Sequence, residues 1–228
     1  ESVDGAVVVI HDSDLMKLAG NRIKVWEGSL EELQKLDVGS WFDPNFSAER
    51  IPTLEDTLEA VRGKAKLLIE LKYYGHDEML EQRVVDIVER TGMVEEIALM
   101  SLKPGGIQKA HELRPEWSTG LLATNTIGDI TSIDMNFIAV NMATATAGFI
   151  KRIHSSGKQV HVWTVNDKIS MARMISLGVD GLITDEPKLA REVLDEFNEL
   201  NRTERLLLHT AVMFNRPINT KTYRDNSP

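Results

Sequence analysis

Cysteine is absent from the 228-residue chain, which excludes disulfide bonds and thiolate metal sites. No apolar run approaches the ~18 residues that a membrane-spanning helix needs. Positive charge is scarce, because 26 Lys and Arg against 35 Asp and Glu leave a formal net charge of −9. This balance argues against nucleic acid as a partner, since phosphate backbones are bound by clustered Lys and Arg. An anionic substrate would need local cations that overcome the repulsive field.

Several catalytic motifs are also missing. The chain has no P-loop, no Gly-x-Ser-x-Gly, no His-Glu-x-x-His, and no Gly-x-Gly-x-x-Gly after a strand. Nucleotide triphosphatase, serine hydrolase and zincin functions therefore have no support, and the commonest reason to choose a doubly wound fold is missing. What remains is a globular composition, with 42% hydrophobic and 27% charged residues, in a chain long enough for one sizeable core.

Short β-branched runs alternate with helical periods along most of the chain, which predicts parallel βαβ units and an α/β fold. An Asp4-Gly5 turn precedes a first β-run at 6–10. The other predicted strands are 66–71, 97–100, 119–122, 137–140, 160–165 and 181–184. The predicted helices are roughly 29–36, 53–62, 77–91, 104–113, 146–156, 168–177 and 187–200.

This order predicts a (β/α)₈ barrel that lacks its beginning, in one domain at 1–200 with a helical or irregular tail at 201–228. Ser29 and Thr53 each have an acidic residue three positions on, which marks two helix starts. Residues 21–52 are interpreted as an ordered insertion, because structureless loops of that length are rare.

Catalytic groups of such barrels lie at the carboxyl ends of strands. His11, Glu70, Lys72 and Trp163 occupy such positions. Glu70 and Lys72 are two residues apart and so share a strand face; they are either an ion pair in the barrel mouth or a cation ligand beside a phosphate contact. His11 is either a general acid or base or a loop histidine, and Trp163 either lines a pocket or belongs to the core.

Six motifs follow one another in order along the chain. They are Val9-Ile-His11-Asp12, Ser29-Leu-Glu-Glu-Leu33 with Trp41-Phe42 after it, Ile51-Pro-Thr-Leu-Glu55, Leu68-Ile-Glu70-Leu-Lys72, Val160-His-Val-Trp163-Thr164, and Gly178-Val-Asp180-Gly181 with Thr184-Asp185. Over about residues 1–197 this order closely resembles the glycerophosphodiester phosphodiesterase family.

The resemblance implies a (β/α)₈ barrel of the phosphodiesterase type and a small-molecule substrate, a glycerophosphodiester that is cut to glycerol 3-phosphate and an alcohol. It implies a divalent cation, Mg²⁺ or Ca²⁺. By motif match, His11 is one of two general acid–base histidines, Glu70 a metal ligand and Lys72 a phosphate contact. Trp163 is a pocket wall, and Glu55 supports the site from its helix start.

The resemblance also implies that a His-Arg-Gly, a Glu-Asn and a Glu-x-Asp motif precede His11. The Asp4-Gly5 turn would place them upstream of Glu1, so the barrel is expected to lack its first strand and most of its second. We therefore expect these residues alone to be inactive, with unpaired sheet edges at 67–71 and 182–184. The alternative is a catalytically silent barrel that binds phospholipid headgroups or wall polymers; membrane association through an upstream region is a further expectation.

Overall fold

A computed structural model describes residues 1–74, 79–124 and 130–214, which form two compact units, one from residue 1 to 119 and one from residue 120 onward. The strands are β1 (Asp14–Leu15), β2 (Asn21–Lys24), β3 (Leu67–Glu70), β4 (Ile97–Ser101), β5 (Thr119–Ala123), β6 (Phe137–Asn141), β7 (Gln159–Trp163) and β8 (Gly181–Leu182). The helices are α1 (Met16–Ala19), α2 (Leu30–Gln34), α3 (Leu54–Val61), α4 (Leu80–Thr91), α5 (Pro104–Leu113), α6 (Ala147–Ser155), α7 (Lys168–Leu177), α8 (Pro187–Glu199) and α9 (Arg202–Phe214).

The main sheet is parallel, and its strands follow the chain in the order β3-β4-β5-β6-β7-β8. Leu67 pairs with Ile97 at the start of β3 and β4, and His161 pairs with Gly181 in β7 and β8. The predicted alternation of parallel strands and helices is confirmed. Among the described strands, β3 and β8 stand at the two ends of this order, each with one neighbour.

The first β-run, predicted at 6–10, is not a strand. Val8 forms an isolated antiparallel bridge with Thr53, flanked by bonds from Val9 N to Pro52 O (3.0 Å) and from Leu54 N to Val7 O (2.9 Å). A β-branched run favours extended backbone, but a strand also needs a partner along its length. Here the partner segment enters α3 at Leu54, directly after the bridge at Thr53, and the pairing ends there.

Both predicted helix starts carry reciprocal caps. The Ser29 hydroxyl accepts a hydrogen bond from the backbone N–H of Glu32, while the Glu32 carboxylate accepts from the Ser29 N–H; Thr53 and Asp56 repeat this arrangement. At the other end, Gly92 closes α4 with a φ of 68°. A side chain is strained in that left-handed conformation, so glycine fixes where the helix stops.

The insertion contains more regular structure than the single helix predicted at 29–36. Residues 21–52 hold strand β2, helix α2 and the 3₁₀ turns Val25–Glu27 and Pro44–Phe46. In the tail, which was predicted to be helical or irregular, α9 runs to Phe214 and packs against α7. The first residues of the predicted helix at 77–91 and the tail beyond 214 lie outside the described residues. None of the helices described has the length and apolar character that crossing a membrane requires.

Each unit has its own hydrophobic core. In the first unit, one cluster lies beneath α3, α4 and α5, and a smaller one lies beneath the insertion. In the second unit, β6, β7, α6 and α7 enclose the largest cluster. The central members of the three clusters are Leu58, Val85, Leu99 and Ile107; Leu15 and Leu33; and Ile138, Ile153, Val162 and Met171.

The packing of Gly120 yields a stability prediction. A Cβ atom at Gly120 would lie 2.1 Å from the ring of Phe137, which itself stacks on His161 with ring centroids 4.6 Å apart. Gly120→Ala should therefore lower the free energy of unfolding by about 1–3 kcal/mol, the usual effect of overpacking.

Gly148 supplies the matched control, since a Cβ atom added at this position in α6 would have no atom within 4 Å apart from its chain neighbours and the backbone of its own helix. Gly148→Ala should leave stability unchanged or raise it by up to ~1 kcal/mol. Urea denaturation of both variants measures the difference. Equal stabilities would contradict the described contact between Gly120 and Phe137.

Candidate active site

Glu70 and Lys72 lie at the carboxyl end of β3. Each side chain is 20% exposed, and the Lys72 Nζ is 3.8 Å from Glu70 Oε2. At that distance the two side chains form an ion pair but not a hydrogen bond. Both groups can therefore still form a hydrogen bond or a coordination bond with a third partner. The predicted sharing of one strand face is confirmed for this pair.

The backbone between them is fixed by β4. Leu71 N donates to Met100 O at 2.7 Å, and the buried Ser101 hydroxyl donates to Leu71 O at 2.8 Å. These bonds continue the pairing one residue past the end of β3. The alternation of side chains therefore persists, with Leu71 directed into the core and its two neighbours directed away from it.

Tyr74 connects this strand exit with the loop that carries His11. Its hydroxyl donates to the His11 carbonyl oxygen at 2.9 Å, and its ring stacks on Trp26 with centroids 6.0 Å apart. Sequence reasoning missed this residue. The available signal was spacing, because Tyr74 follows Lys72 at the same two-residue interval that separates Lys72 from Glu70.

The His11 side chain is 66% exposed and is oriented by its neighbour. Its Nδ1 lies 2.7 Å from Asp12 Oδ1. A carboxylate only accepts hydrogen bonds, so this contact assigns the ring proton to Nδ1 and leaves Nε2 for a second partner. His11 can therefore accept a proton from a bound molecule, or donate one to it, at Nε2.

Glu55 lies in the first turn of α3, where it pairs with Arg90 of α4. The two guanidinium nitrogens, Nη2 and Nε, lie 2.8 and 3.2 Å from the two carboxylate oxygens. Both side chains are about half exposed, so water screens the pair and its contribution to stability is small. The contact joins two helices of the outer layer, and support of the site by Glu55 stays a prediction.

Trp163 ends β7 in the second unit. It is half-buried, and its indole Nε1 is buried without a hydrogen-bond partner among the described residues. A buried indole N–H normally donates to an acceptor, so this atom is open to one. Its role as a pocket wall stays a prediction.

Asn166 fixes the loop that follows Trp163. Its Oδ1 accepts from the Thr184 hydroxyl at 3.0 Å and from Asp185 N at 2.9 Å, and its Nδ2 donates to Asp185 Oδ2 at 2.7 Å. The loops after β7 and β8 are thereby joined through one amide side chain.

The residues described do not form a complete site for a hard divalent cation. No group of three or more His, Cys, Asp or Glu side chains in residues 1–74, 79–124 and 130–214 is arranged to hold a metal. Mg²⁺ and Ca²⁺ take about six to eight oxygen ligands, with waters among them. Glu70 offers a carboxylate, and the Lys72 ammonium lies 3.8 Å from one of its oxygens.

Comparison with known proteins identifies the family. Residues 2–189 match the model of the glycerophosphoryl diester phosphodiesterase family. The chain belongs to this family. It is 32% identical to YhdW of Bacillus subtilis (strain 168) over 191 residues, which are 81% of this chain and 79% of YhdW. It is 29% identical to the glycerophosphodiester phosphodiesterase of Caldanaerobacter subterraneus subsp. tengcongensis, over 81% of this chain and 79% of that protein.

Solved structures support the fold. The phosphodiesterase OLEI02445 of Oleispira antarctica, in complex with the product sn-glycerol 3-phosphate, matches with a TM-score of 0.81 at 23% identity. The match covers 85% of this chain and 81% of that one. The predicted α/β fold, that of the phosphodiesterase barrels, is thereby confirmed.

His161 gives the protein a measurable pH dependence of stability. Burial lowers the pKa of its imidazole below the ordinary value of 6.5, and the nearby Asp180 carboxylate opposes part of this shift. The unfolded chain therefore takes up a proton here before the folded protein does. The contribution of His161 to stability is fully present above pH 6.5. It is lost as the pH falls from there through the lowered pKa of the folded protein.

His161→Phe, which keeps a flat ring against Phe137, should remove this component. We expect the free energy of unfolding to fall less between about pH 7.5 and pH 5.5 in the variant than in the wild type. Urea denaturation across this range measures it. The same slope in both proteins would contradict the assignment.

Proposed function

We propose that the protein hydrolyses glycerophosphodiesters to glycerol 3-phosphate and an alcohol. Membership of the glycerophosphoryl diester phosphodiesterase family supports the proposal. The observation that carries it is the Glu70–Lys72 pair at the exit of β3, to which the His11 loop is tied by the Tyr74 hydroxyl.

Lys72 binds the phosphate group in this proposal. A net charge of −9 repels an anionic substrate, so a local cation must attract it. The Lys72 side chain is mostly buried, which weakens screening by water and strengthens its attraction for a phosphate oxygen. Negative charge develops further during phosphoryl transfer, so this contact should stabilise the transition state more than the substrate.

His11 transfers a proton at Nε2, either from the attacking water or to the departing alkoxide. Asp12 holds the ring in the required tautomer through Nδ1. The exposure of the ring leaves room for a substrate oxygen beside it. A second histidine, which the family resemblance places ahead of His11, would perform the opposite transfer.

Glu70 is proposed as one oxygen ligand of a Mg²⁺ or Ca²⁺ ion. When bound, such an ion offsets charge on the non-bridging phosphate oxygens. The resemblance assigns the other ligands to a Glu-x-Asp motif ahead of Glu1, and the described residues supply no group of three ligands. We therefore propose that these 228 residues have no hydrolytic activity by themselves.

A second candidate is a barrel that binds phospholipid headgroups or wall polymers without cleaving them. The lack of a group of three metal-ligating side chains around Glu70 in the described part of the chain favours it, because Lys72 can bind phosphate whether or not a cation is present. The two candidates differ in whether turnover accompanies binding.

The test compares the 228-residue chain with a version preceded by a segment that carries the His-Arg-Gly, Glu-Asn and Glu-x-Asp motifs. With Mg²⁺ or Ca²⁺, release of glycerol 3-phosphate from glycerophosphocholine should occur only in the longer protein. Equal activity in both would contradict the placement of the metal ligands. Binding without turnover in the longer protein would support the second candidate.

In the longer protein, His11→Ala should lower the rate about 10²–10⁴-fold, the usual contribution of a general acid or base. Lys72→Met should raise KM and lower kcat. His154→Ala is the matched control for the first variant, since His154 also pairs with a carboxylate, that of Asp180 at 2.8 Å. Lys24→Met, which breaks the ion pair with Asp14, is the control for the second. Losses as large in the controls would contradict the assigned roles.

A further inference from the structure

The loop formed by residues 37–49, here called the aromatic loop, presents a cluster of exposed aromatic side chains. Trp41 is 51% exposed, Phe42 is 68% exposed and Phe46 is 44% exposed. Their rings contact one another, with centroids 5.9 Å apart for the first pair and 5.8 Å apart for Phe42 and Phe46. Single exposed apolar residues are common, but a contiguous aromatic cluster marks an interaction surface.

Hydrogen bonds hold the aromatic loop in one conformation. Asp37 Oδ1 accepts from Gly39 N at 2.9 Å and from Ser40 N at 3.0 Å, and its Oδ2 accepts from the Ser40 hydroxyl. These bonds lower the pKa of Asp37 to about 2, so the carboxylate stays charged at any physiological pH. Val38 N donates to Glu49 O at 3.2 Å and closes the base of the loop.

Close packing inside the loop directs the aromatic rings outward. A Cβ atom at Gly39 would lie 2.0 Å from the carbonyl oxygen of Phe46, so the two backbone segments are in direct contact and leave no space for a ring. At the base, Val38 packs against the cluster around Leu33 and Ile51. The three rings thus lie on a hydrogen-bonded loop whose base packs against a hydrophobic cluster.

The size of the surface argues against a protein partner. With aromatic side chains of about 150–250 Å² each, the exposed part of the three rings is on the order of 350 Å². A stable protein–protein interface buries about 800 Å² on each partner, more than twice this area. A lipid layer needs less, because a few aromatic side chains at the headgroup level contribute apolar burial without a matching surface.

The chemistry of the cluster fits the headgroup region. Tryptophan combines an apolar ring with a polar N–H, and the Lys17 Nζ lies 5.9 Å from the Trp41 ring centroid. A lysine beside an inserted ring lays its apolar stem along the hydrocarbon and holds its ammonium among the phosphates. In and beside the loop, the acidic residues Asp37, Asp43 and Glu49 outnumber the basic residues Lys17 and Arg50, so attraction to a lipid layer must come from the rings.

We propose that the aromatic loop is a lipid-binding surface that inserts Trp41, Phe42 and Phe46 into the headgroup region of a phospholipid layer. This binding requires no hydrolysis and is independent of the proposed enzymatic function. Because the net charge of −9 repels anionic surfaces, zwitterionic phosphatidylcholine is the favoured layer.

The absence of cysteine permits a direct test by site-specific labelling. Phe42→Cys carries an environment-sensitive fluorophore, and Ile169→Cys is the matched control, since Ile169 is an apolar side chain that is 60% exposed in the second unit. With phosphatidylcholine vesicles, the label at position 42 should show a blue shift and an increase in emission, and the label at position 169 should show neither. The shift should persist at about 1 M salt, where the Debye length is about 3 Å.

Vesicle sedimentation supplies an independent measurement. The triple variant Trp41→Ser, Phe42→Ser and Phe46→Ser should lose co-sedimentation with the vesicles, whereas Ile169→Ser should retain it. Thermal unfolding of both variants, expected to match that of the wild type, confirms that the loss is one of binding. The proposal would be overturned if vesicles caused no emission shift at position 42 or equal shifts at both positions. It would also be overturned if the emission at position 42 were as blue without vesicles as with them, or if the triple variant still sedimented with the vesicles.

Discussion

The buried hydrogen bond from the Ser101 hydroxyl to the Leu71 carbonyl is the contact on which the first unit's site depends. β3 ends at Glu70, so without this bond the next carbonyl would lie in the core without a donor, at a cost of about 1–3 kcal/mol. The bond keeps the chain extended beyond the strand. Glu70 and Lys72 consequently leave the sheet on one face, and Tyr74 reaches the His11 loop.

Electrostatics make this position suitable for a phosphodiester. Acidic residues exceed basic ones by 35 to 26 in the chain, and most basic side chains that the structure pairs lie in exposed ion pairs such as Arg90–Glu55. Lys72 differs because its side chain is mostly buried and its carboxylate partner is 3.8 Å away. A phosphate oxygen can approach such a cation without first breaking a short hydrogen bond. The loose pair and the oriented His11 are therefore complementary parts of one proposed site.

The sequence allowed prediction of the features that depend on local patterns. The six strands from β3 to β8, the helices between them and the caps at Ser29 and Thr53 follow from β-branched runs and capping residues. The run at 6–10 was wrongly predicted as a strand, because propensity does not encode where a partner strand ends. The two-residue spacing from Lys72 draws attention to Tyr74, but its bond with His11 joins residues 63 positions apart, and no local pattern indicates that partner. Roles for His11, Glu70, Lys72, Trp163 and Glu55 came from motif resemblance and stay predictions.

The central claim is that His11 and Lys72 serve one phosphate-binding site. With six histidines in the chain, ¹⁵N-histidine labelling gives a spectrum in which the His11 ring can be followed during titration with sn-glycerol 3-phosphate. The account predicts that the His11 ring resonances shift in the wild-type chain and that the shift is lost in Lys72→Met. Unshifted His11 resonances in the wild type, or the same shift in Lys72→Met, would contradict it.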